Sequence, residues 1–280
     1  MGDSVPFGMN ITLVPPYSSV PPTPSEFIGY PETIANIDRL IGLTTLVNAA
    51  CPGETSWSFL SVSSTMKDPD NGCNSDHIVA PPPGSSLPVL MLPPFKTSVG
   101  LHVNYASSAQ SQMAFALSQL QTNKQIKLVT LSIGANDLLL ALPALEACNG
   151  DPTCEGTVLT PVLDTYGGNL AQILGGIRTE YSGSLILLTY YSPLPQLDGV
   201  TQALNSTMTT VAAQFPKITI ADGYKAFSTL DAPFGDNACT AGLLIKLPPN
   251  PYNTTPCDIH PSPLGRVVLA ATVELAAFGH

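Results

Sequence analysis

Positive charge is scarce in this chain. Ten Lys and Arg stand against twenty Asp and Glu among 280 residues, for a formal net charge of -10. The basic patch that phosphate backbones and anionic membranes select is missing, so no nucleic-acid partner is expected. Charge of either sign is sparse, at 11% of residues, and 28 Pro with 22 Gly point to a surface of turns and neutral polar groups. Long apolar runs are missing too: the best candidates are broken by Pro143 and Glu274, so no transmembrane segment is expected. No basic or apolar leader precedes Gly2. Neither a Cys-x-x-Cys pair nor closely spaced histidines complete a tetrahedral set around Cys257 and His260 or Cys73 and His77. No metal and no cofactor is therefore expected. Without an internal repeat or a dividing linker, residues 1–280 read as one domain.

An apolar fraction of 44% supplies a sizeable core. The six cysteines fall into three neighbouring groups, and the simplest of fifteen pairings joins Cys51 with Cys73, Cys148 with Cys154, and Cys239 with Cys257. An even, local set fits an oxidising compartment, so a secreted protein is expected. Short apolar runs at Thr44 to Ala49, Ile126 to Ile133, Leu185 to Tyr190 and Ile218 to Ala221 read as buried strands, because none alternates with polar residues. Strands apolar on both faces belong to parallel sheets covered by helices. Helices are expected over about Glu32 to Ile41, Asp137 to Ala147, Pro161 to Tyr181 and Leu197 to Phe215, with another carrying Ala109, Met113, Ala116, Leu117 and Leu120. A last helix begins with Ser262 as cap and Pro263 in the first position, places Leu264, Val267, Ala271, Leu275 and Phe278 on one face, and ends at Gly279. Ser63 to Gly100 and Phe227 to Pro256 read as long irregular loops. The fold class is α/β.

Three short patterns stand where such a fold places chemistry, at the carboxyl ends of strands. Gly2-Asp3-Ser4 opens the chain, Gly134-Ala135-Asn136-Asp137 closes the strongest strand, and Asp258-Ile259-His260 precedes the last helix. A serine hydroxyl becomes a nucleophile when a histidine takes its proton, and the histidine needs an acceptor to fix its tautomer. Ser4, His260 and Asp258 supply these types. Acyl transfer also needs donors for the developing oxyanion, for which Asn136, the Gly53 N–H and the Ser4 N–H are the candidates. Asn136 could instead cap a helix, Gly53 could serve only a turn, and Glu54 reads as a cap for a short helix near Trp57.

These blocks, in this order, resemble the SGNH hydrolases, the GDSL family of serine esterases and lipases. The resemblance runs from Ser4 to the helix after His260. It implies a three-layer α/β/α sandwich, flavodoxin-like, around a five-stranded parallel sheet. It also implies Ser4 as nucleophile, His260 as base, Asp258 as acid, and Ser4, Gly53 and Asn136 as the oxyanion site. The Gly-x-Ser-x-Gly elbow of ordinary α/β-hydrolases is absent. The family spaces its acid three residues before the histidine, where Cys257 stands here, so His260 is oriented by Asp258 or by a backbone carbonyl. The family also places a strand before Gly-Asp-Ser where this chain has only Met1, so the first strand is expected to be truncated and Met1 to be an internal start. The activity implied is hydrolysis of small-molecule or lipid esters by a secreted monomer; the apolar stretch Leu87 to Phe95, with Leu101 and Val103, reads as the lining of an acyl pocket. A catalytically silent carbohydrate- or lipid-binding protein on the same scaffold is the alternative, and a glycosidase using Asp137 or Glu54 a third.

Overall fold

The computed structural model describes residues 1–40, 45–62, 70–79, 86–105, 110–253 and 255–279. Ile41, Thr44 and Ala109, at which expected elements began or ended, lie outside them. The helices are α1 (Ser4–Phe7), α2 (Tyr30–Leu40), α3 (Ser56–Leu60), α4 (Phe95–Ser98), α5 (Gln112–Thr122), α6 (Ala135–Leu139), α7 (Leu142–Ala147), α8 (Pro152–Glu180), α9 (Asp198–Ala212), α10 (Gly223–Asp231) and α11 (Pro263–Phe278). The strands are β1 (His77–Val79), β2 (Leu90–Leu92), β3 (Leu128–Leu131), β4 (Ser184–Leu188), β5 (Ile218–Ala221), β6 (Leu244–Lys246) and β7 (Cys257–Pro261).

The parallel sheet β3-β4-β5 is the centre of the fold. Four successive residues of β4, Leu185 to Leu188, are at most 1% exposed, so both faces of the strand are covered. Helices α3, α5, α8 and α9 pack together on one side and α2, α10 and α11 on the other. The result is an α/β/α sandwich. Beyond β3 the sheet continues in very short form: Met1 N donates to Thr130 O at 3.0 Å, Ser132 N to Met1 O at 3.3 Å, and Asp3 N to Ser132 O at 3.2 Å. On the far side, Cys51 N donates to Gly2 O at 3.0 Å. Met1 to Asp3 thus fill the slot where the first strand was expected, and the chain ending at Cys51 flanks them. Numbered along the chain, the extended segments lie in the order 2-1-3-4-5, the flavodoxin-like order.

Several expected elements are corrected. Residues 45–49 form neither a helix nor a strand. The helix expected from Pro161 begins at Pro152, because Asp151 accepts from Thr153 N and Cys154 N and Pro152 suits the first turn. The helix expected over Asp137 to Ala147 is two helices, α6 and α7. The supposed loop from Ser63 holds α4 and the antiparallel β1–β2 pair, and the one from Phe227 holds most of α10 and the strand β6, which pairs with β7. Three disulfides join Cys51–Cys73, Cys148–Cys154 and Cys239–Cys257.

Gly2 tolerates no side chain: its φ is +130° and an added Cβ would lie 1.8 Å from Ser132 O. Gly2→Ala is expected to destabilise the protein by at least roughly 1–3 kcal/mol from backbone strain. Gly199→Ala, in α9 with nothing within 4 Å of the added Cβ, is expected to be neutral or to stabilise by up to about 1 kcal/mol. Paired thermal melts check both, and equal effects would contradict the tight packing at Gly2.

Candidate active site

Ser4 is the first residue of α1, immediately after the Met1 to Asp3 ladder. The turn is set by Asp3, whose Oδ1 accepts from Val5 N at 3.0 Å, while its Oδ2 accepts from the Tyr190 hydroxyl. Asp3 is fully buried. Burial raises its pKa to about 6, although the bonds from Tyr190 and Val5 oppose the rise. Asn136 follows β3, in the first turn of α6. With strand order 2-1-3-4-5, the reversal of strand order falls between the N-terminal segment and β3, so Ser4 and Asn136 stand on either side of the crevice where such sheets bind ligands.

The cap of α6 is Gly134, and the Asn136 amide bonds across the fold instead. Its Nδ2 donates to Glu54 O at 3.0 Å, and its Oδ1 accepts from Asn71 Nδ2 at 3.0 Å. The same turn holds Gly53, at φ +77°, where an added Cβ would come 2.1 Å from Asn71 O. Gly53 O accepts from Asn71 N at 2.7 Å, and the Cys51–Cys73 bridge closes the loop around both residues. Asn136 and Gly53 are thereby brought together. Neither the Ser4 N–H nor the Gly53 N–H is used by a described residue.

His260 and Asp258 lie on β7, and His260 Nδ1 sits 2.6 Å from Asp258 Oδ2. Residues two apart in a strand project to the same face, so the two-residue spacing suits extended backbone. The carboxylate can only accept, so Nδ1 carries the proton and Nε2 of the neutral ring is free for a second partner. Asp258 Oδ1 accepts from Ile259 N at 2.8 Å, and Tyr191 donates to Ile259 O at 2.7 Å. Cys257 is engaged in its disulfide. Burial works against a charge on His260, but the Asp258 charge, the Asp258 hydrogen bond and the Asp3 charge outweigh it and raise its pKa above the ordinary histidine value.

Ser4 and His260 border one cavity of about 70 Å³. Its other walls are mostly apolar, among them Leu138 and Leu139 from α6, Tyr190 and Tyr191 after β4, and Val200 and Leu204 from α9, with Thr201 beside them. None of Leu87 to Phe95, Leu101 or Val103 reaches it. Leu101 is buried in a separate cluster with Phe7 and Phe27, and Met91 projects to the outside of the β1–β2 pair, 62% exposed. Tyr190 was not singled out from the sequence. Asn205 fixes its backbone, accepting from Tyr190 N at 2.9 Å and donating to Tyr190 O at 2.7 Å.

The remaining candidates are engaged in hydrogen bonds within the fold. Asp137 accepts from Ser56 N and Ser56 Oγ. Thr55, not Glu54, caps α3. Glu54 is buried, taking hydrogen bonds from Ser58 Oγ and from Gln112 Nε2 at 2.9 Å. Gln112 is another residue missed in the sequence; it also donates to Gly2 O at 2.9 Å and accepts from Gly2 N. Among the described residues one trio of metal-type donors occurs, Cys51, Glu54 and Cys73, and its two thiols are joined in a disulfide.

Burial raises the Glu54 pKa to about 7, against the hydrogen bonds from Ser58 and Gln112. Asp3 and Glu54 therefore hold protons in the folded chain at pH values where the unfolded chain has lost them. Stability from these groups is complete below about pH 4 and is lost as pH rises towards about 7. His260, also raised, acts in the same direction. The melting temperature is expected to fall across that window and Glu54→Gln to flatten the fall, as read from thermal melts in a pH series. A rise through the window would contradict it.

No family model matches the chain, and no curated protein matches it. Among solved structures, a member of the lipolytic protein G-D-S-L family from Veillonella parvula DSM 2008 is a structural neighbour, with 16% sequence identity over 61% of this chain and 74% of that chain and a TM-score of 0.37.

Proposed function

We propose that the protein is a secreted serine hydrolase of carboxylic esters. The observation that carries this reading is that Ser4 and His260 border the same apolar cavity while Asp258 occupies the far nitrogen of the imidazole. Nε2 of His260 takes the proton from Ser4 Oγ as that oxygen attacks the ester carbonyl. The negative oxygen of the tetrahedral intermediate is met by the Ser4 N–H, the Gly53 N–H and the second Nδ2 proton of Asn136. The C–O bond to the alcohol then breaks, the alcohol leaves with the proton returned by His260, and Ser4 keeps the acyl group. Water, deprotonated by His260, releases the acid by the same steps in reverse order.

Asn136 suits this role because Glu54 and Asn71 fix the amide at both ends, so its orientation need not be bought during the reaction. The cavity walls favour an apolar acyl or alcohol group, which fits a small-molecule or lipid ester and needs no cofactor. Three disulfides and the absence, among the described residues, of a helix able to cross a membrane are compatible with an extracellular protein.

Ser4→Ala is expected to abolish hydrolysis of short p-nitrophenyl esters and labelling by a fluorophosphonate, with the adduct mapped to Ser4 in the parent. An unchanged rate in Ser4→Ala would sink the reading, and a folded parent that never labels would favour a silent binding protein. For the wild type, kcat/KM is expected to rise with pH through a pKa above the ordinary histidine value, because His260 must be neutral to act. Asp258→Asn is expected to move that limb to lower pH and to reduce kcat by about 10²–10⁴-fold. A pH–rate profile in which Asp258→Asn shifts neither quantity would remove Asp258 from the mechanism.

A further inference from the structure

Helix α11 is apolar on two opposite sides, which a helix between a sheet and water does not require. Gly265, Leu269, Ala270 and Val273 are buried towards the core. After Pro263, the helix residues that are exposed are Leu264, Val267, Ala271, Leu275 and Phe278, and no polar residue is among them. Leu264 is 53%, Val267 50%, Leu275 71% and Phe278 62% exposed. At about 100° per residue these five positions fall within about 80° of arc, a continuous stripe. The stripe expected from the sequence is therefore present, but it faces outward.

Its spacing is symmetric. Val267 and Leu275 lie four residues either side of Ala271, and Leu264 and Phe278 lie seven either side. A stripe that reads alike in both directions is self-complementary under a two-fold axis through Ala271, where an antiparallel copy sets Leu264 against the partner's Phe278 and Val267 against the partner's Leu275. The smallest side chain is then at the crossing, where the helices come closest, with larger ones interlocking towards the ends. Glu274 borders the stripe, whereas Arg266 lies on the opposite side of the helix and donates to Ile28 O.

We propose that α11 is a self-association surface through which two copies of this chain form an antiparallel, two-fold dimer, in place of the monomer expected from the sequence. A single helix pair lies at the low end of the area that stable complexes bury, so the dimer is reversible and depends on concentration. A zwitterionic lipid surface is the competing occupant.

Sedimentation velocity of the intact protein over a micromolar concentration series is expected to show monomer and dimer in exchange. Val267→Lys and Leu275→Glu, both at exposed positions, are each expected to weaken self-association at least about tenfold, because each sets a charge against an apolar side chain. Mixing the two variants is expected to restore pairing as a heterodimer, since the introduced lysine then faces the introduced glutamate. A wild type that stays monomeric at every concentration would overturn the proposal, as would a mixture of folded variants that fails to pair. Wild type that is monomeric yet binds phosphatidylcholine vesicles, with binding lost in Leu275→Glu, would assign the stripe to lipid instead.

Discussion

The peptide groups of Gly2 tie the sheet to the loops that carry Gly53 and Asn136. Gly2 O accepts from Cys51 N on one side and from Gln112 Nε2, and Gly2 N donates to Gln112 Oε1. The residues on either side, Met1 and Asp3, complete the ladder to β3. Because no side chain fits at Gly2, the flanking segments close on it from both sides, and each flank then leads to a candidate donor. The Cys51 flank turns into Gly53, the β3 flank turns into Asn136, and Gly2 itself leads through Asp3 to Ser4. Short, irregular chain around Gly2 thus positions the Ser4, Gly53 and Asn136 segments relative to one another.

Buried polar groups extend this arrangement inward. Glu54 links Gln112 to Ser58, and its carbonyl holds the Asn136 amide. Asp3 links Ser4's turn to Tyr190, which is also a wall of the cavity. Neither carboxyl lines the cavity, and burial keeps both largely protonated on the acid side of neutrality. A protonated carboxyl both donates and accepts, so it can sit among hydroxyls and amides at less desolvation cost than an anion. Position, rather than acid–base reactivity, is what these two residues contribute to the fold.

The sequence was most legible where burial was continuous or signals were local. The unbroken apolar run of β4 identified a covered parallel strand, and Ser262 with Pro263 marked the start of α11. Three classes of feature were not legible. Met1 to Asp3 are too few for any periodicity to register, and their ladder exists only because β3 lies alongside. In α8, the helix expected from Pro161 starts nine residues earlier at Pro152, where the Asp151-Pro152 pair carries the start signal, and Pro161 is exposed inside it. The cavity was placed in the wrong segment because its walls come from α6, α9 and the turn after β4, and nothing in the local pattern of Leu138 or Leu204 separates a residue facing a cavity from one facing the core. The Ser4, Asn136 and His260 blocks could be found because each stands at the end of an element; Gln112 and Asn71, inside a helix and a loop, carry no such mark.

The disulfides show where local structure alone cannot hold the site. Gly53 lies on a turn and His260 on a short strand outside the central sheet, and neither segment has the ladder of β4 to hold it. Cys51–Cys73 closes a span of 22 residues around the Gly53 turn, and Cys239–Cys257 closes 18 residues and ends one position before Asp258. Loops of that length remove unfolded-state entropy worth about 3 kcal/mol each in the chain-entropy account. Cys148–Cys154, spanning 6, removes less and joins α7 to α8, away from the imidazole. The two bridges with the larger effect therefore sit on the irregular segments that carry Gly53 and His260, while Asn136, held by β3 and α6, needs none of its own. Covalent constraint and hydrogen-bonded ladder divide the work of holding the site, each used where the other is absent.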